Sequence, residues 1–424
     1  MTPKHLLASA FIISVLLALL PAAAQDLEGR IAELEATVDA LTRAQEQQTL
    51  GALGGNSSIG RPVGESVHGL GPAASKVYAG DGLSIGGYGE ARYRNREDDS
   101  DEADFLRGVL YVGYKYSDKW VFNSEIEFEH ASTSKEGSAS VEFAAIDYLH
   151  SDALNLRAGI LLVPMGHINK LHEPTTFLST QRPETERRII PSTWRENGAG
   201  LFGDLGDFAY EAYVVNGLKG ENFDDNGFRG GRQKGSEAVA DDLGFVGRVD
   251  YTGQPGLLIG ASAYQGDSGQ DSGLSLDTTI VEGHVDWQRN GFRVRGLAAA
   301  GQLSGAAELN ARRAEQADVP VSEINSVGED LFGWYAELGY DVLNRADFGE
   351  ASLTPFIRYE ELNTVDSIPG DGSQLAGKRD REAVTVGVAF QPLDELIFKA
   401  DYIINDAASG DPGNSFNLGI GYVF

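Results

Sequence analysis

Apolar and polar side chains alternate with period two along most of the chain, from residue 83 to the C-terminus. That period sends neighbouring side chains to opposite faces and marks strands rather than helices. In 83–96, Leu83, Ile85, Gly87, Gly89, Ala91 and Tyr93 share one face, while Glu90, Arg92 and Arg94 share the other. In 105–117 the outward set is Leu106, Leu110, Val112, Tyr114 and Tyr116, against Arg107, Tyr111 and Lys115. In 120–130, Trp120, Phe122, Ile126 and Phe128 oppose Asn123, Glu125, Glu127 and Glu129. A soluble sandwich also alternates, but it does not repeatedly put charges on one face and aromatics at both strand ends. An apolar outer band, aromatic girdles and a polar interior predict a transmembrane barrel.

The same pattern predicts strands at 139–150, 153–163, 198–204, 207–216, 241–252, 256–265, 276–289, 291–303, 329–342, 351–362, 382–391, 395–405 and 414–424. With the first three these make sixteen, so the fold class is all-β: a 16-stranded antiparallel transmembrane barrel. An even count puts both barrel ends of the chain on the periplasmic side. Short turns such as Ser151-Asp152 and Asn290-Gly291 alternate with long polar loops such as 217–240 and 304–328, as an outer-membrane barrel requires. In 139–150, Glu142 and Asp147 have opposite parity, which predicts a bulge.

Other elements precede the barrel, which spans 81–424. Residues 1–25 read as a secretory signal, with Lys4 and His5, an apolar run from Leu6 to Leu20, and Ala22 to Ala24 before the cleavage point. Leu27, Ile31, Leu34, Val38 and Leu41 step by heptad spacing and predict a short periplasmic coiled-coil helix over 26–49. Residues 50–80 are rich in glycine and read as a flexible linker.

One stretch breaks the alternation. Residues 166–203 hold Lys170, Arg182, Arg187, Arg188 and Arg195 among Glu173, Glu184, Glu186 and Glu196, with prolines at 174, 183 and 191. A loop of this length inside a β-rich chain is uncommon and usually functional. It falls between the fifth and sixth strands and is expected to fold into the lumen as a constriction over about 164–197. Its ion-facing candidates are Lys170, Arg182, Glu184, Glu186, Arg187, Arg188, Arg195 and Glu196. The competing reading is that the arginines pair with Glu184, Glu186 and Glu196 and only pin the loop. Inward parity adds Arg92, Arg94, Arg107, Arg157, Arg293 and Arg295 as wall candidates, beside many inward acids.

Composition narrows the function. The chain has 424 residues, no Cys and a formal charge of −29; the signal's one Lys leaves −30 after cleavage. Such a charge argues against nucleic acid, which needs a basic footprint. Export without cysteine means that the fold does not rely on disulfides. The few histidines have no catalytic neighbours, and His167, His172 and Glu173 lack metal-ligand spacing, so neither an enzyme, a metal nor a cofactor is expected.

Residues 182–203 (RPETERRIIPSTWRENGAGLFG), supported by 105–131 and the terminal Phe424, resemble the phosphate-selective porins O and P in the broad sense of that family. The resemblance covers about residues 80–424. It implies a bacterial outer-membrane porin, a third loop folded inside, a homotrimer, and Phe424 as the signal read by the barrel assembly machinery. Its partners would be membrane lipid and small hydrophilic solutes and ions, with anions such as phosphate as the narrower expectation. The alternative function is a structural tether that binds cell wall or a periplasmic partner through the N-terminal helix.

Overall fold

The computed structural model describes residues 66–424, except Asp98, Lys135, Ala346, Asp347, Asp371, 373–378 and Asp411. The expected signal, coiled coil and first half of the linker lie outside the described residues.

Sixteen strands follow in order. The first half comprises β1 (Gly82–Arg96), β2 (Glu102–Ser117), β3 (Trp120–Glu129), β4 (Ser138–Ser151), β5 (Leu154–Leu162), β6 (Arg195–Leu205), β7 (Phe208–Asn216) and β8 (Leu243–Gln254). The second half is β9 (Leu257–Asp267), β10 (Asp277–Arg289), β11 (Phe292–Ser304), β12 (Asp330–Tyr340), β13 (Ser352–Ser367), β14 (Asp380–Leu393), β15 (Leu396–Ala407) and β16 (Ser415–Val423). Two helices lie in loops, α1 (Glu184–Arg188) before β6 and α2 (Ala306–Ala317) after β11. Each strand pairs antiparallel with its sequence neighbours, and β1 pairs with β16, so the barrel closes. The terminal Phe424 completes the seam by exchanging both backbone hydrogen bonds with Gly87, each at 2.9 Å.

The period-two pattern decides which face looks where. Leu83, Ile85, Leu110, Tyr114, Phe245, Val249, Ile357, Val386 and Phe398 stand exposed on the outside, whereas Glu125, Glu127, Arg157, Arg248, Glu337 and Lys399 are buried within. An apolar outer surface on a closed barrel is matched by lipid, because no strand edge is left unpaired. The short turns follow local chemistry: Asn290 and Gly291 both take positive φ, 53° and 83°, the conformation of a type I′ hairpin.

The expected bulge in β4 is present. Phe143 faces Glu125 and Val141 faces Ile126, which leaves Glu142 unpaired between them. The extra residue resets the parity, so both Glu142 and Asp147 are buried inside.

Three expectations need correction. The sixth strand begins at Arg195 rather than 198, because 195–197 pair with Ile160, Leu161 and Leu162 of β5. The loop therefore ends at residue 194, and Arg195 and Glu196 belong to the wall. The loop after β11 is not simply long and polar, since it contains α2, whose Leu309 and Ala314 are buried on one face. Finally, the linker expectation fails over 66–80. These residues are packed against the barrel wall, with a 3-10 turn at Ala74–Ala79.

Candidate functional site

The loop between β5 and β6, residues 163–194, is held inside the barrel by its own sequence. Its apolar members, Met165, Ile189, Ile190 and Trp194, are fully buried and join wall residues Leu161, Tyr213, Tyr264 and Tyr335 in one cluster. Phe223 and Phe228 of the next external loop, 217–242, close that cluster from outside. Burying several large side chains in this way offsets the ordering of a long loop.

Polar ties then fix the loop around the whole wall. Tyr335 of β12 donates to the Glu186 carboxylate at 2.6 Å, and the other oxygen accepts Ile168 N–H at 2.6 Å. Arg358 of β13 reaches the Ser179 hydroxyl at 2.6 Å, and Asp401 of β15 accepts Thr180 N–H at 2.6 Å. His172 meets Glu125 of β3 at 3.1 Å, and Lys170 pairs with Glu211 of β7. The short helix α1 lies against β12 and β13.

This geometry sorts the candidates. Lys170 and Glu186 are buried anchors rather than ion-facing groups, since their partners saturate them. Glu196 is buried on β6, accepts from Asn216 and from Gln233 N–H, and so pins the 217–242 loop. Arg195 pairs with Glu142 at 2.6 Å, with both side chains almost wholly buried. Arg157 forms a two-point pair with Asp147 and lies over the Phe202 ring at 4.5 Å. Arg295 pairs with Asp286, and Arg293 reaches both Asp286 and the Thr176 carbonyl. Arg92 pairs with Glu102 and Asp104, and Arg107 with Glu90 and Glu127. Within α1, Glu184 pairs with Arg187 at 2.9 Å and with Arg188, which also donates to Asn226 at 2.6 Å. Burial alone would raise the Glu184 carboxyl, but the two guanidiniums outweigh it and hold the group down at about 2. Phe424 projects outward, exposed beside Gly87.

Four arginines stand apart. Arg94 donates to the Gln181 side chain at 2.7 Å, Arg182 to the His172 carbonyl at 3.5 Å, and Arg229 to the Arg187 carbonyl at 3.4 Å. Arg232 donates to the Thr193 carbonyl at 2.6 Å. Among the described residues none of the four has an acidic partner at ion-pair distance. All are half-buried, and Arg232, Arg187 and Arg182 lie near enough to Arg229 to act on it electrostatically. Burial, followed by Arg232, Arg187 and Arg182, lowers the Arg229 group to about 8, and burial and Arg195 lower Arg232 to about 10. Burial is the largest cause in both, and the neighbouring cations add to it. An anion placed there would oppose the shift.

Sequence reasoning named Arg94 and Arg182 but missed Arg229 and Arg232. The signal was present: 228–234 (FRGGRQK) carries three cations within the long loop after β7.

A protein of Aquifex aeolicus (strain VF5), itself uncharacterized, is 37% identical over 369 residues, which cover 84% of this chain and 83% of that protein. The chain belongs to one family with it. No family model matches the sequence. Solved structures share the fold. OmpF of Salmonella typhi, in complex with daunomycin, superposes with a TM-score of 0.55 at 12% identity, covering 81% of this chain and 97% of that one. A loop L8 deletion mutant of OmpT, an outer membrane protein of Vibrio cholerae, gives 0.52 at 13%, covering 81% and 99%. An anion-selective porin from Comamonas acidovorans gives 0.51 at 11%, again covering 81% and 99%. At these identities the likeness establishes the barrel fold that these outer-membrane proteins share.

Proposed function

We propose that this protein is a bacterial outer-membrane porin, a water-filled channel for passive diffusion of small hydrophilic solutes and ions. The observation that carries this is a long loop pinned inside a closed 16-stranded barrel, with Arg94, Arg182, Arg229 and Arg232 left without acids beside it. Sixteen strands enclose an aqueous space, and a loop inside narrows it. Charges in that confined space act through little intervening water, so their field is focused on whatever passes. Solutes are then sorted by size and sign.

The sign we infer is anionic, although the mature chain is strongly acidic. Several lumen acids, among them Glu90, Glu127, Glu142, Asp147 and Glu337, are neutralised by a paired arginine, whereas among the described residues these four arginines have no acidic partner at ion-pair distance. Phosphate is one anion of suitable charge, and the resemblance of 182–203 to phosphate-selective porins favours it. The homotrimer and recognition of Phe424 by the barrel assembly machinery come with the same resemblance.

Planar-bilayer recording of the purified protein tests the reading. Unit conductance steps with a reversal potential on the anion side in a KCl gradient are expected. Folded, heat-modifiable protein that gives no steps would discard the channel and leave the tether through residues 26–49.

A further inference from the structure

We propose that residues 66–79 are an inner plug of the channel, seated on a glycine-carved part of the wall and latched to the lumen loop by Glu173. This rests on the channel reading and adds a second obstruction beside the loop between β5 and β6.

The seat is written into the wall. A Cβ at Gly86 of β1 would lie 2.9 Å from the Ala73 carbonyl oxygen, and one at Gly113 of β2 only 2.7 Å from Cβ of Val77. Both glycines occupy inward positions of ordinary strands, where a side chain would otherwise project into the lumen. Neither has a positive φ, so conformational need does not explain them. Close approach of the segment does, by the Ala73 backbone at Gly86 and the Val77 side chain at Gly113.

The latch closes the middle of the segment. The two Glu173 oxygens accept the N–H groups of Ala73 and Ala74, at 3.2 and 3.1 Å, at the start of the 3-10 turn. Asn123 of β3 donates to the Ala74 carbonyl at 2.8 Å. The ends are fixed as well. Lys170 reaches the His68 carbonyl, and the His68 ring sits edge-on to Tyr78 and Phe202. Tyr78 donates to Asp147 at 2.6 Å and accepts from Arg157 at 3.2 Å. Between Leu70, Tyr78 and the wall a cavity of about 20 Å³ is left, room for about one water. Lys170 and Glu173 belong to the lumen loop, so the plug and the constriction share two residues.

The test uses the full chain in two variants that unseat the segment by different routes. Glu173→Ala removes the latch, and Gly113→Leu wedges the seat without touching the loop. Unit conductance in planar bilayers should rise about two-fold in each, because more cross-section opens to water. The chain has no cysteine, so Ser75→Cys, a near-isosteric change at a buried site, supplies a clean reporter in each background. The introduced thiol should react with a water-soluble maleimide about ten-fold faster once the segment is loosened. Channels of parental conductance with that thiol still protected in both variants would overturn the plug while leaving the porin intact. Silence of the parent and both variants would remove the channel reading, and the plug with it.

Discussion

Among single residues, the arginines divide into those paired with an acid and those without an acidic partner at ion-pair distance. Arg195 and Glu142 form a buried pair, and removing one partner leaves the other uncompensated. Arg195→Ala should therefore cost about 3–5 kcal/mol, read as a lower midpoint of heat-modifiable unfolding on gels. Arg229→Ala with Arg232→Ala should leave that midpoint nearly unchanged and lower the anion-to-cation permeability ratio about three- to ten-fold. Arg187→Ala should do less, because Arg187 is already paired with Glu184. Such a division was not legible in the sequence. Residues 182–203 carry bases and acids in near balance, and the partners that decide each role come from strands far away along the chain. Glu173 adds a pH dependence. Burial is its largest influence and raises the carboxyl to about 7, against the Ala73 and Ala74 N–H groups, which lower it. A carboxyl raised in the fold above its unfolded value contributes stability that is complete at acid pH and lost as pH rises through about 7. Barrel stability should thus fall between pH 5 and 8 by an amount on the order of 3 kcal/mol from this group. Glu173→Gln should flatten that part of the slope, and an unchanged slope in the variant would show that Glu173 does not titrate there.

Among the elements, strands were the most legible part. Alternation alone located sixteen of them, and the parity conflict between Glu142 and Asp147 located the β4 bulge. Element ends were harder, since Arg195 and Glu196 look like loop residues until their pairing with Leu161 and Leu162 is seen. The segment 66–80 misled because glycines usually mean freedom. Here the telling glycines are in the wall, at 86 and 113, and they make room for a neighbour. The helix α2 was hidden in a polar loop whose buried face is only a few residues wide. For the lumen loop, Trp194→Ala should destabilise the barrel by about 3–5 kcal/mol and make open-channel current noisier. A quiet channel of unchanged stability would mean that the loop is held by its polar ties alone.

For the molecule as a whole, an acidic chain and a local cluster of arginines are compatible, because net charge says nothing of where free charge lies. Deleting residues 26–50 leaves every described tie of the plug and loop in place, so conductance and selectivity should be unchanged. Loss of conductance would make the N-terminal helix part of the pore. Anion selectivity set by unpaired arginines is tested most directly by the reversal potential of the purified, full-length protein. It is measured in a bilayer across a ten-fold KCl gradient and repeated with Arg229→Ala and Arg232→Ala together. The expected result is an anion-side potential that moves toward the cation side in the variant. A cation-side potential in the parent, or one that the substitutions do not move, would overturn it.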